Sequence, residues 1–263
     1  DGKNYKFAEE DSQLMIKGTC YYDCRLDASS YPSLERETVF SVVNADCLTV
    51  AKDLKDKGYN VAVLNMASRQ NPGGGVLTGA GAQEENLFRR SNLFQSMFQF
   101  ADYANQYGLT AQSKHYPLHR DYGGIYTPNA TVFRGEEKDG YPLLGEASFR
   151  MSFIAVPGIN RPELKDATHL ADNMIEGTKN KMRTILRIGL RHGHDSLVLG
   201  ALGCGAFCNP PSHIARLFHE VFEEPEFKNK YRLISFAILD DHNAHRSHNP
   251  EGNYLPFVKE FCQ

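Results

Sequence analysis

Three consecutive glycines, Gly73, Gly74 and Gly75, follow Asn71 and Pro72, and seven residues later come Gln83, Glu84 and Glu85. Glycines in a row leave backbone N–H groups bare and permit positive φ, so such a loop can close on a negatively charged group. Two adjacent carboxylates beside it are unexpected, because electrostatics alone would keep Glu84 and Glu85 away from a phosphate. The pairing fits a ligand with a phosphate at one end and, at the other, a bond whose cleavage needs an acid. A second glycine-rich run, Gly203-Cys204-Gly205-Ala206-Phe207, could hold the other end of the same ligand.

The elements that must position these residues read as alternating strands and helices. Strands are expected at 38–43, 60–65, 130–134, 151–156, 196–200 and 232–239, from short β-branched and apolar runs. Helices are expected at 46–57 with Gly58 as the stop, and at 83–100, 169–191, 210–223 and 253–261. Strand, helix and strand over 38–65 imply a parallel crossover. Both glycine runs follow a strand, and open α/β sheets bind ligands outside the carboxyl ends of their strands. Residues 1–36 read as a loop-rich lead-in and 105–150 as an insertion over the sheet. No repeat or linker divides the chain, so 1–263 is expected to be one domain. Glu84 and Glu85 in the first turn of a helix are also what the helix dipole favours, an ordinary structural reason for acids there.

Composition narrows the function classes. Of 263 residues, 41% are hydrophobic and 23% charged, as in a globular protein able to bury a core. The net charge of −3 gives no basic footprint for DNA or RNA. No apolar run reaches the roughly 18 residues of a membrane span. The chain opens Asp1-Gly2-Lys3 without an initiator Met, which reads as a trimmed or processed form. Cys20/Cys24 and Cys204/Cys208 have C-x3-C rather than zinc-type spacing and read as free thiols in a reducing compartment. The run His242, His245 and His248 reads as a polar surface loop, not a ligand set. Neither a nicotinamide-type G-x-G-x-x-G nor a Walker loop accounts for the glycines. No metal or cofactor is expected.

The glycine triplet, its short spacer and Gln83-Glu84-Glu85 resemble the signature of the macrodomain superfamily, specifically its poly(ADP-ribose) glycohydrolase branch of bacterial and fungal type. Val43-Asn44-Ala45-Asp46, Val63-Leu64-Asn65-Met66-Ala67-Ser68 and the run from Leu199 to Phe207 are similar to further family segments. The resemblance spans about 35–240 loosely. It implies a three-layer α/β/α macrodomain with a mixed central sheet, and exo-type hydrolysis of ribose–ribose O-glycosidic bonds that releases ADP-ribose. It assigns Glu85 as the catalytic acid and Glu84 to the ribose hydroxyls near the scissile bond. Gly73, Gly74 and Gly75 are to approach the diphosphate and distal ribose. Gly203, Cys204, Gly205 and Ala206 are to form a second phosphate loop, with Phe207 over the ribose. Asn65 is to contact the distal ribose, Asp46 the adenine amine, and Gln83 the ADP-ribose site.

The chemistry agrees with that assignment. Cleavage passes through an oxocarbenium-like state and the leaving oxygen must be protonated. A carboxylic acid does this near neutral pH only if its pKa is raised, and a neighbouring carboxylate, a bound diphosphate and burial all push that way. Cys204 is expected to pack or lend its backbone, since no His partner is evident. The match is only approximate over 151–161. The segment 103–126, with His115, His119 and Arg120, has no assigned role. These departures bear on the leaving group. A mono-ADP-ribosyl-protein hydrolase uses the same pocket and is the alternative enzyme. A non-catalytic ADP-ribose reader is the other alternative, and it has no need of paired acids; turnover separates it from the enzymes. The expected partners are ADP-ribose and poly(ADP-ribose) on modified proteins, without nucleic acid or membrane. The chain is expected to act as an intracellular monomer, in cytoplasm or nucleus.

Overall fold

The computed structural model describes residues 6–262. Seven strands form its main sheet: β1 (Cys20–Tyr22), β2 (Val39–Val43), β3 (Val61–Met66), β4 (Gly124–Val132), β5 (Phe149–Val156), β8 (Ser196–Leu199) and β9 (Leu233–Ala237). Two short strands, β6 (Leu164–Asp166) and β7 (His169–Leu170), pair apart from it. Across the main sheet the order is β1-β4-β5-β3-β8-β9-β2. The five strands from β5 to β2 run parallel, while β4 is antiparallel to both β5 and β1. The sheet is therefore mixed, as expected.

Strand periodicity builds the three layers, because successive side chains point to opposite faces. Ala62 and Leu64 of β3, Leu197 and Leu199 of β8, and Ile154 and Val156 of β5 enter one core. That core also takes α5 (Asp172–Arg191), α6 (Pro211–Phe222) and α7 (Tyr254–Phe261). The intervening Val61, Val63, Val198, Phe153 and Ala155 enter the other. It is closed by α1 (Glu9–Gly18), α2 (Cys47–Asp56), α3 (Gln83–Arg90) and α4 (Leu93–Met97). Central strands buried on both faces need continuous apolar sequence, and β3 and β8 have it.

Four expectations change. The lead-in contains α1 and β1, the latter an edge strand paired with β4. The segment 105–150 is not simply an insertion over the sheet, because it contributes β4, an interior strand between β1 and β5. The helix expected at 83–100 breaks at Ser91, which is extended and bridges to Val132. There Asn92 exchanges bonds with Thr131, Oδ1 accepting from Thr131 N at 2.7 Å, so the polar pair docks on β4 instead of continuing the helix. Finally, α5 begins at Asp172, not at residue 169, because Leu170 N donates to His213 Nδ1 and holds β7 out of the helix.

Candidate active site

Both glycine runs lie where expected, beyond the carboxyl ends of β3 and β8. The first wraps the two glutamates. Glu84 and Glu85 open α3 and are only 3% and 7% exposed. Glu84 accepts from Ser68 N at 2.6 Å, Gly73 N at 3.1 Å and Asn65 Nδ2 at 3.4 Å. Glu85 accepts from Gly75 N at 2.8 Å and reaches back to Ala82 N at 3.0 Å, so it also caps its own helix. Gly74 N is taken by Asn71 O. The glycine N–H groups expected to be open to a phosphate are thus spent on the carboxylates and the loop. Glycine is required for a different reason. At Gly74, φ is +56° and a Cβ would collide with Glu85 Oε1 and lie 3.1 Å from Glu84 Oε2.

Burial pushes the Glu84 pKa up to about 8, and the charge of Glu85 adds to the shift. The N–H groups of Ser68 and Gly73 and the Asn65 amide oppose it only in part. Asn65, at the end of β3, is fully buried, and its Oδ1 has no partner among the described residues.

Gln83 ties this cluster to the sheet. Its amide donates to Leu64 O at 2.7 Å and accepts from Met66 N at 2.9 Å, continuing the hydrogen bonding of β3. It also faces a cleft of about 240 Å³, walled by Asp46, Gly203, Gly205, Ala206 and Phe207 among others. Gly81, Ala82 and Gln83 line that cleft and lead directly into the acidic pair, which does not itself line it.

In the second glycine run, the N–H groups of Gly205, Ala206 and Phe207 have no partner among the described residues. Cys204 lies beneath, fully buried, and burial pushes its thiol far above the ordinary range, which removes it as a nucleophile. Asp46 faces the cleft with much of its hydrogen bonding already committed. Its Oδ1 caps α2 at Leu48 N and Thr49 N, and its Oδ2 pairs with the buried Arg90 at 2.7 Å.

Several supports escaped the sequence reading. Asn209 Nδ2 donates to Ile159 O at 2.7 Å, Gly203 O at 3.0 Å and Phe207 O at 3.3 Å, bracing the second run from below. The histidine stretch is not simply a surface loop. His248 is buried and donates from Nε2 to Cys204 O at 2.8 Å, and Asn249 joins that carbonyl to Asn243 and Asn253. Residue types alone gave no signal for the contacts to Ile159 and Cys204, whose partners are 44 to 50 residues away in sequence. No group of three or more His, Cys, Asp or Glu able to hold a metal occurs among the described residues. None of their helices is long and apolar enough to cross a membrane.

Solved structures of similar fold carry ligands of the kind this site suits. The chain is 28% identical to poly(ADP-ribose) glycohydrolase from Thermomonospora curvata, with a TM-score of 0.74, over 96% of this chain and 89% of that one. The same enzyme bound to the inhibitor ADP-HPD gives 29% and 0.72 over the same shares. Poly(ADP-ribose) glycohydrolase from Deinococcus radiodurans in complex with ADP-ribose gives 27% and 0.71, over 95% of this chain and 96% of that one. No curated protein sequence matches. Residues 1–135, just over half of the chain, match the family described as microbial-type PARG, catalytic domain, and the chain belongs to that family.

Proposed function

We propose that this chain binds ADP-ribose at a polymer end and hydrolyses the ribose–ribose bond behind it, with Glu85 as general acid and then general base. The observation that carries the reading is the pair of buried glutamates held by backbone donors of a loop that tolerates no Cβ at Gly74. A reader domain has no need to confine two carboxylates this tightly. Placing them costs desolvation, which a glycosidase recovers in the transition state.

In this reading the diphosphate lies on the second glycine run, against the N–H groups of Gly205, Ala206 and Phe207. The distal ribose then reaches the first run, where the buried, unpartnered Asn65 Oδ1 accepts from a ribose hydroxyl and Glu84 orders its neighbour. Glu85 protonates the departing oxygen, the C1–O bond breaks through an oxocarbenium-like state, and the carboxylate then takes a proton from attacking water.

The test compares the chain with its Glu85→Gln variant on automodified poly(ADP-ribose). Loss of general acid–base catalysis should lower kcat by about 10²–10⁴-fold, while calorimetry still shows ADP-ribose binding. Full turnover by the variant would refute the role of Glu85. Binding without release by the unaltered chain would refute the polymer activity.

A further inference from the structure

A second group of charges adjoins the first glycine loop without lining the cleft. Arg69 directly follows Ser68, whose N–H holds Glu84. It exchanges bonds with Leu118: Leu118 N donates to Arg69 O at 2.9 Å, and Arg69 Nη1 donates to Leu118 O at 3.2 Å. The segment after Leu118 is fixed from below by Lys181 of α5, whose Nζ donates to Arg120 O at 2.7 Å.

Lys181 is only 4% exposed, so a cation has been buried here. Its pKa is lowered to about 8, chiefly by burial, with Asp121 opposing the shift and the nearby Arg69 and Arg120 adding to it. Neither guanidinium lies within salt-bridge distance of a carboxylate among the described residues. Arg69 and Arg120 both act on the charge of Lys181, with Asp121 as the opposing acid, so this part of a chain of net charge −3 is locally rich in cations and favours an anion.

The same segment carries an aromatic platform. The ring of the exposed His119 stacks on half-buried Tyr122, with centroids 5.5 Å apart and planes within 14°. His119 Nδ1 is locked by accepting from Asp121 N and Tyr122 N, both at 3.2 Å. Aromatic faces beside arginines are the ordinary means of holding a nucleotide, the base by stacking and the phosphates by charge.

We propose that Arg69, Arg120 and the His119–Tyr122 pair form a subsite for the adenosine diphosphate moiety of the next polymer unit, on the leaving-group side of the scissile bond. The inference rests on the proposed function and deepens it. In the polymer, the oxygen that departs belongs to an adenosine ribose whose 5′ carbon carries a diphosphate. Base and phosphates of that unit therefore lie within a nucleotide's length of the acid. The subsite stands next to the loop that holds the acids and outside the cleft assigned to the terminal unit.

The experiment measures binding in the non-hydrolysing Glu85→Gln background, so that it reads separately from turnover. Affinities for ADP-ribose and for a purified two-unit oligomer are compared before and after adding Arg120→Ala or Tyr122→Ala. The oligomer is expected to bind more tightly than ADP-ribose in the parent. Each added change should raise the oligomer Kd by roughly three- to tenfold, leaving the ADP-ribose Kd unaltered. Equal parent affinities, an unchanged oligomer Kd, or a parallel loss for both ligands would overturn the subsite. Arg120 has an exposed side chain, so its variant keeps the test valid if Tyr122→Ala fails to fold. Failure of the unaltered chain to release ADP-ribose from polymer tells against the proposed function instead.

Discussion

Replacing Glu84 with Gln should remove a pH dependence from the stability of the ligand-free protein. The fold raises the Glu84 pKa from the ordinary 4.5 to about 8, chiefly by burial. The folded state therefore holds this proton more tightly than the unfolded chain does. The resulting stabilisation is complete below about pH 4.5 and is lost as pH rises through about 8. One pKa unit corresponds to about 1.4 kcal/mol, so between pH 5 and 8 the margin shrinks by about 3 kcal/mol. For a chain of this size that is roughly 6–12 °C of Tm. Glutamine cannot ionise, so the gap between the two melting curves should change by that amount across the range. Calorimetry or thermal-shift melts at half-unit pH steps supply both curves. Parallel curves would refute the assignment of the buried proton to Glu84, whatever the offset between them. The offset itself carries no weight, because the glutamine amide must also face Ser68 N and Gly73 N.

Other perturbations test the supports of the site. Gly74→Ala places a Cβ against Glu85 Oε1 at a φ of +56°; it should cost about 1–2 kcal/mol of stability and lower kcat more than it alters ADP-ribose affinity, and an unchanged kcat would show that the loop does not position the acid. Asn209→Ala leaves the carbonyls of Ile159, Gly203 and Phe207 without their shared donor; melting should show a loss of roughly 2–3 kcal/mol, and calorimetry a weaker ADP-ribose complex, whereas retained affinity would place the diphosphate elsewhere.

The legible part of this protein lay in local patterns. The central parallel strands β3, β5, β8 and β9, largely buried on both faces, show as mainly apolar runs, and β2 shows as one although it is a half-buried edge strand. The glycine triplet and Gln83-Glu84-Glu85 are legible together because the loop and the first turn of α3 touch across a short spacer. What that contact does was not legible. From sequence the glycine N–H groups faced a phosphate; in the fold those of Gly73 and Gly75 face the glutamates, because the loop closes on the first turn of α3 and places Glu84 and Glu85 in its concavity.

The remaining decisions belong to long-range contacts. β4 reads weakly because Pro128 and Asn129 interrupt it and the register to β5 shifts there. Its place between β1 and β5 is set by pairing with strands about a hundred residues before it and about twenty after it. Asn209, His248 and Asn249 are unremarkable polar residues until packing buries them under the second glycine run, where each must satisfy a carbonyl that water no longer reaches. The sequence by itself determined which residues could do chemistry and which strands would carry them, since both follow from composition and spacing along the chain. Only the tertiary structure decided which hydrogen bonds those residues make and how readily Glu84 gives up its proton, because burial and the pairing of buried polar groups are properties of the assembled layers.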